Sequence, residues 1–331
     1  MGRGASRALS LMMTPAHCTF PAGFRFALSL TFDLEMCSNF PYWSSVWDHR
    51  KGALDDDTKR YVLKLADLAR DAGVKFQWFL VGSGLEDADL GHLRRLVADG
   101  HAIGSHTYRH VNVKAQTIAQ LQVVYQQDPS LAAGLTPTEA IRNELQMTTL
   151  QMKQRLGIAP RGFRTPGGFG NGLADVPAVQ KLLLDEGFAY ASSHYNFPAR
   201  PELWQQAREA MTSRNPKPSL EGAELQRAQR ASIESLQPYR YPGGLLELPM
   251  MGLSDVQSFR NYDLERETWL RLLEHGVEVA HERKLVLSVL LHPCVLAVRD
   301  PHAAAVRRLI ARAQSLHGWI ATNDEIAARC T

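Results

Sequence analysis

The sequence predicts an α/β protein built on a parallel sheet, either open or closed into a barrel. From residue 26 almost to the C-terminus, short apolar runs alternate with amphipathic stretches of helical period. The repeat length suits strand–helix–strand crossovers rather than hairpins. With 331 residues, the chain can bury a large core in one α/β domain or two smaller ones.

Each element rests on its own pattern. "FALSLTF" (26–32) reads as a buried strand, and "TKRYVLKLADLARDAG" (58–73) as a helix with Val62, Leu65, Leu68 and Ala69 on one face and Gly73 closing it. "KFQWFLV" (75–81) is the next strand, residues 88–100 a helix ending in Gly, and "HAIGSH" a short strand. The following helix has Thr136 or Thr138 as N-cap, a Pro in its first turn, and Gly157 as its end. "RGFRTP", a helix from Pro177 to Gly187 and "FAYASS" continue the alternation. "LLELPMM", a long helix from about 263 to 283, the apolar "KLVLSVLLHP" (284–293), a helix near 302–315 and "GWIAT" complete it.

Two polar segments, 111–135 and 199–232, interrupt the rhythm and read as insertions over the rim. Residues 1–22 read as a disordered leader, because "ALSLMM" is too short for a signal peptide, and 23–331 as a single domain. No run of about 20 apolar residues is present to span a bilayer, so a cytoplasmic location is expected.

Lys plus Arg number 37 against 34 Asp plus Glu, a balance that does not mark nucleic acid or an anionic membrane as a partner. A small or neutral substrate fits better. Cys18, Cys37, Cys294 and Cys330 are scattered without a CxxC pair, which argues against a disulfide scaffold and a thiolate zinc site.

"GSHTYRHVNV" (104–113) sets His106 and His110 four positions apart. On a helical turn both rings would point the same way and could share one metal ion. Zinc proteases with this spacing need Glu after the first His, and Thr107 stands there. In α/β folds reactive side chains gather at the carboxyl ends of strands. Asp33 and Glu35, then His106 and His110, then Arg164, then His292 all fall at such ends. "FPYWSSVWDHRKG" (40–52) adds four aromatics, either a buried satellite cluster or a stacking platform for a sugar ring, with Asp48 and Lys51 as added hydrogen-bonding groups.

Over about residues 26–322 the chain resembles the polysaccharide deacetylases, the NodB-homology carbohydrate esterases. The resemblance is carried by "LTFDLE", "FQWFLVG", "GSHTYRH", "GFRTPGG" and "LLHP", in that order. It implies a distorted (β/α) barrel of about seven strands, and a divalent metal, Zn foremost with Co, Ni, Mn or Fe as alternatives. It also implies a saccharide substrate from which N- or O-acetyl groups are hydrolysed. Asp33 matches the base, Arg164 the arginine that keeps it ionised, His292 the general acid and the Gly167 N–H the oxyanion donor. Trp43, Trp47 and Pro166 are expected to contact substrate.

The first motif departs from Thr-Phe-Asp-Asp: Leu34 stands in the second Asp's place and Glu35 follows. Glu35, His106 and His110 are therefore the expected ligands, with Asp33 as the alternative ligand. Asp255 and Trp204 are candidates for a further Asp/Trp motif. Two other functions stay open: a metal-independent cyclic amide or ureide hydrolase of allantoinase type, and a catalytically inactive carbohydrate-binding protein.

Overall fold

A computed structural model describes residues 13–37, 51–197 and 222–331. Trp43, Trp47, Asp48 and Trp204 lie outside these residues.

The described strands are β1 (Thr14–Pro15), β2 (Phe26–Leu34), β3 (Gln77–Leu80), β4 (Ala102–Ser105) and β5 (Gly162–Phe169). They continue with β6 (Tyr190–His194), β7 (Tyr239–Arg240), β8 (Leu246–Glu247), β9 (Val286–Leu291) and β10 (Gly318–Ile320). Neighbours run β9, β2, β3, β4, β5, β6, β8, all parallel. After β8, the Met251 N–H donates to the Ser288 C=O of β9 at 2.9 Å, so the series turns back on its start. β10 pairs parallel with the first residues of β2, and β7 joins β1 to β8 by antiparallel pairing.

All nine residues of β2 are buried, yet Ser29, Thr31 and Asp33 recur at every second position. The period of two puts these polar groups on one face and Leu28, Leu30 and Phe32 on the other. The apolar face packs outward, where Phe32 stacks on Trp78 with ring centroids 4.7 Å apart. The polar face turns inward. Gly104 in β4 allows close packing there, since a Cβ would lie 2.7 Å from both the Gly162 carbonyl oxygen and the Phe79 ring.

The helices follow their sequence signals closely. Asp56–Asp71 is capped by the Asp55 side chain, and Pro137–Leu156 begins with a Thr136/Glu139 capping box and ends at Gly157. Arg266–Arg283 is closed by Lys284 in the left-handed region and not by glycine.

Three expectations are corrected. Residues 1–22 were expected to be a disordered leader, but in its described part, 13–22, Thr14 and Pro15 pair with Arg240 and Tyr239, and Cys18 is disulfide-bonded to Cys330. That bond joins residues 312 apart in sequence, which no local spacing could reveal. The 111–135 segment is not merely a polar rim, since Val111, Val113, Leu121 and Tyr125 are buried in a core cluster shared with Ile141, Leu145, Phe163 and Leu183. The second polar segment, 199–232, runs at its end into a helix, Gly222–Ser235, that buries Leu225, Ala228 and Ile233.

Two buried histidines outside the site make stability depend on pH. His101 Nδ1 accepts the Phe76 N–H at 2.9 Å. Burial, then Lys75, brings its pKa down to about 4. Burial, then Lys59, does the same for His92. In unfolded chain both would titrate near ~6.5. The unfolded state therefore binds more protons between pH ~6.5 and ~4, and stability falls as pH drops through that window. The expected loss is on the order of 2–3 kcal/mol per histidine. Urea unfolding at pH 7 and pH 4.5 measures it, and His101→Asn, which keeps an acceptor for Phe76, should flatten the slope. A stability unchanged across the window would contradict this account.

Candidate active site

At the carboxyl end of β2 the chain must place two carboxylates among other charges, and each has its own partner. Asp33 Oδ1 accepts from Arg164 Nη1 at 2.8 Å. Arg164 is fully buried, gives further hydrogen bonds to Thr31 Oγ1 (2.8 Å) and Ser192 Oγ (3.0 Å), and lies over the Phe79 ring. An arginine cannot be discharged by burial, so Asp33 has a fixed cationic partner inside the fold.

Glu35, one residue past the strand, faces the imidazoles. Its Oε2 lies 2.5 Å from His110 Nε2 and 3.7 Å from His106 Nε2. Lys51 Nζ is 3.2 Å from the same oxygen. Burial works to raise the Glu35 pKa, but Lys51 and the two histidines hold it well below the ordinary carboxylate range.

His106 and His110 converge by a route that spacing did not foresee. Instead of a helical turn, the segment is a loop in which Thr107 (φ 59°) and His110 (φ 58°) take the left-handed conformation. Such backbone is costly for a β-branched residue and persists only where surroundings enforce it. Here Thr107 Oγ1 accepts the Val111 N–H at 2.9 Å. Glu144, fully buried on the Pro137–Leu156 helix, accepts both the Arg109 N–H (2.5 Å) and Arg109 Nη1 (2.9 Å). The rings end 4.9 Å apart at 76°.

The donor set suits a metal ion. One atom each from Glu35, His106 and His110 lies within 4.8 Å of the others. His106 Nδ1 is 3.0 Å from the Arg164 carbonyl oxygen; as the donor in that contact it leaves Nε2 with its lone pair. Burial, then Lys51, brings the His110 pKa down to about 4, so its ring is neutral at neutral pH. Asp33 stands outside the triad, its Oδ2 3.8 Å from His106 Nε2. Two imidazoles and one carboxylate leave coordination positions open, as catalytic sites do.

His292 reaches the same cavity from the end of β9. Asp255, fully buried, takes its backbone N–H (2.6 Å) and its Nδ1 (2.8 Å). Nε2 is left facing Glu35 Oε1 at 3.6 Å and Asp33 Oδ2 at 4.0 Å. Burial alone would lower this pKa, but Asp255, then Glu35 and Asp33, hold it up at about 9. The ring is an imidazolium at neutral pH, with one N–H to give.

These groups line a cavity of about 350 Å³. Gly167 forms part of its wall at φ +71°, within an irregular stretch where the β5 and β6 registers shift. Pro166 is buried inside β5, while its neighbours Thr165 and Gly167 reach the cavity. Tyr195, Ser254, Gln257 and Arg260 complete the wall and were not anticipated. The last two belong to a π-helical turn, Gln257–Asn261, a geometry that no hydrophobic period announces. A larger cavity of about 560 Å³, beside His194 and Tyr239, holds none of the groups described above.

The family model described as polysaccharide deacetylase matches residues 53–183. A curated Bacillus subtilis (strain 168) protein, the uncharacterized YlxY, is 24% identical over 123 residues, 37% of this chain and 32% of its own length. The chain thus matches about a third of that relative. Among solved structures, a probable polysaccharide deacetylase from Pseudomonas aeruginosa PAO1 superposes with TM-score 0.61 at 19% identity, covering 94% of this chain and 92% of that one. PuuE allantoinase superposes with TM-score 0.61 at 17% identity, covering 94% and 91%. At these identities the structural likenesses show a shared fold.

Proposed function

We propose that this chain, whose residues 53–183 match the family model described as polysaccharide deacetylase, is a metal-dependent hydrolase that removes acetyl groups from an N- or O-acetylated sugar or polysaccharide precursor. The observation that carries this reading is the Glu35–His106–His110 cluster, set between an arginine-bound carboxylate and an aspartate-bound imidazolium. Glu35, His106 and His110 would hold a divalent ion, Zn first among the candidates. Such an ion supplies a Lewis acid for the acetyl carbonyl and makes water more acidic.

The chain's own residues do the rest. Asp33, held in place by Arg164, takes the proton of the attacking water. His292 gives its Nε2 proton to the departing nitrogen or oxygen, for which a ring protonated at neutral pH is suited. The Gly167 N–H is assigned to the developing oxyanion.

Asp255→Asn tests the acid. Loss of that carboxylate lowers the His292 pKa, so the proton needed for the leaving group disappears at lower pH. The alkaline limb of the pH–kcat profile should move down from the neighbourhood of the native value of about 9. The rate should fall by ~10²-fold. An unmoved limb would remove His292 from the acid role.

One observation favours a second reading. The Lys51 ammonium lies 3.2 Å from Glu35 Oε2, where it is a cationic partner supplied by the chain itself, and with it a cyclic amide or ureide hydrolase working without metal becomes a chemical alternative on this fold. Turnover of acetylated sugar oligomers and of allantoin-like cyclic ureides, each with and without chelator, separates the two. Chelator-sensitive acetate release supports the deacetylase, and chelator-insensitive ureide opening supports the rival.

A cytoplasmic setting was expected, and the Cys18–Cys330 disulfide weighs against it, because such bonds persist mainly in oxidising compartments. No helix among the described residues is long and apolar enough to cross a membrane.

A further inference from the structure

The Lys51 side chain is 3% exposed, and its ammonium sits 3.2 Å from Glu35 Oε2. That oxygen also meets His110 Nε2 at 2.5 Å and supplies the one negative charge of the three-residue donor cluster. Lys51 is not a surface cation that happens to swing inward. Ser83 Oγ donates to the Lys51 C=O at 2.8 Å, and the next residue, Gly52, gives its N–H to the Glu35 C=O at 2.7 Å. The backbone is thus fastened on both sides of the ion pair.

A buried ammonium requires an anionic partner, and a buried carboxylate requires a cation. Glu35 meets the first need, and Lys51 meets the second before any metal arrives. A dication drawn to Glu35, His106 and His110 would share an oxygen with the ammonium, at a separation where like charges repel strongly in a weakly polar interior.

We infer that Lys51 is an internal counter-cation that competes with the metal for Glu35. The site then holds its metal more weakly than the same donors would without Lys51, and Glu35 keeps a partner and its position when the metal leaves. Lys51 is a positioning residue in this account, and the inference rests on reading Glu35, His106 and His110 as the metal site.

The test is Zn affinity, measured by competition against a chromophoric chelator on full-length protein. Lys51→Met removes the charge at similar length, Lys51→Gln does so with a polar head should the first variant fail to fold, and Lys51→Arg retains the charge. The expected result is Zn binding tighter by about ten-fold or more in the Met and Gln variants, and within about three-fold of wild type in the Arg variant. Zn should also raise the unfolding temperature further in the neutral variants than in wild type. A residue serving only to pack the cavity wall would not produce that pattern. Wild type binding Zn, with the neutral variants equal or weaker, would overturn the inference and leave the metal site standing. Zn binding by the neutral variants alone would support the inference and remove metal dependence from the natural chain. No Zn binding by any of the four proteins would overturn both.

Discussion

His106→Ala and His110→Ala should each strip the protein of its metal and of its hydrolytic activity. Each change removes one of three donors that lie within 4.8 Å of one another, leaving a pair that cannot enclose an ion. Loss of an outer partner of a metal ligand alone costs ~10–100-fold in affinity, so loss of a ligand should exceed ~100-fold. Elemental mass spectrometry after dialysis reads the metal, and acetate release reads the rate. Circular dichroism and thermal unfolding serve as controls, because Thr107 and His110 occupy left-handed backbone that neighbouring contacts maintain. The Arg109–Glu144 anchor is untouched by either change, and the fold should survive. Metal retained at wild-type level in both variants would place the ion elsewhere or nowhere.

Asp33→Asn should give the opposite pairing, with activity lost and metal kept. Asn is nearly isosteric, and its carbonyl can still accept from Arg164, so the local structure is conserved while the charge that takes the proton is gone. General-base removal costs ~10²–10⁴-fold in rate. Metal content should remain near wild type, because Glu35 and not Asp33 completes the triad with the two histidines. If metal disappears together with activity, Asp33 is a ligand, the alternative that the unusual "FDLE" motif left open. If activity survives, the base lies elsewhere in the cavity.

Much of this arrangement was legible in the chain. Strand runs such as "FALSLTF" and the capped helix from Thr136 to Gly157 use local rules, with the hydrophobic period and the termini agreeing. Asp33, Glu35 and His292 fall at carboxyl ends of strands, so once the parallel sheet is assumed the topology brings them together, whereas Arg164 lies inside β5 and reaches Asp33 through its long side chain. The run "FALSLTF" was read only as a buried strand, and the alternation of Ser29, Thr31 and Asp33 that sets its inward face came from the structure.

What escaped depends on contacts between distant residues. The interval between His106 and His110 suggested a helical turn, whereas the rings converge through a loop fixed by Glu144, 34 positions beyond His110. Asp255 was a candidate without an alignment, and its role follows only from the two hydrogen bonds it accepts from His292. Lys51 was read as an added hydrogen-bonding group, but its burial against Glu35 makes it part of the site's charge balance. The Cys18–Cys330 bond joins the two ends of the described chain, and four scattered cysteines carry no local sign of it.

The central claim is that Glu35, His106 and His110 hold a metal on which deacetylation depends. The most direct measurement is metal content of the purified protein together with acetate release from N-acetylglucosamine oligomers, before chelation, after chelation and after Zn is restored. The account predicts about one equivalent of bindable metal, acetate release abolished by chelator, and recovery on adding Zn. Protein that binds no Zn and releases no acetate under any of these conditions would contradict it.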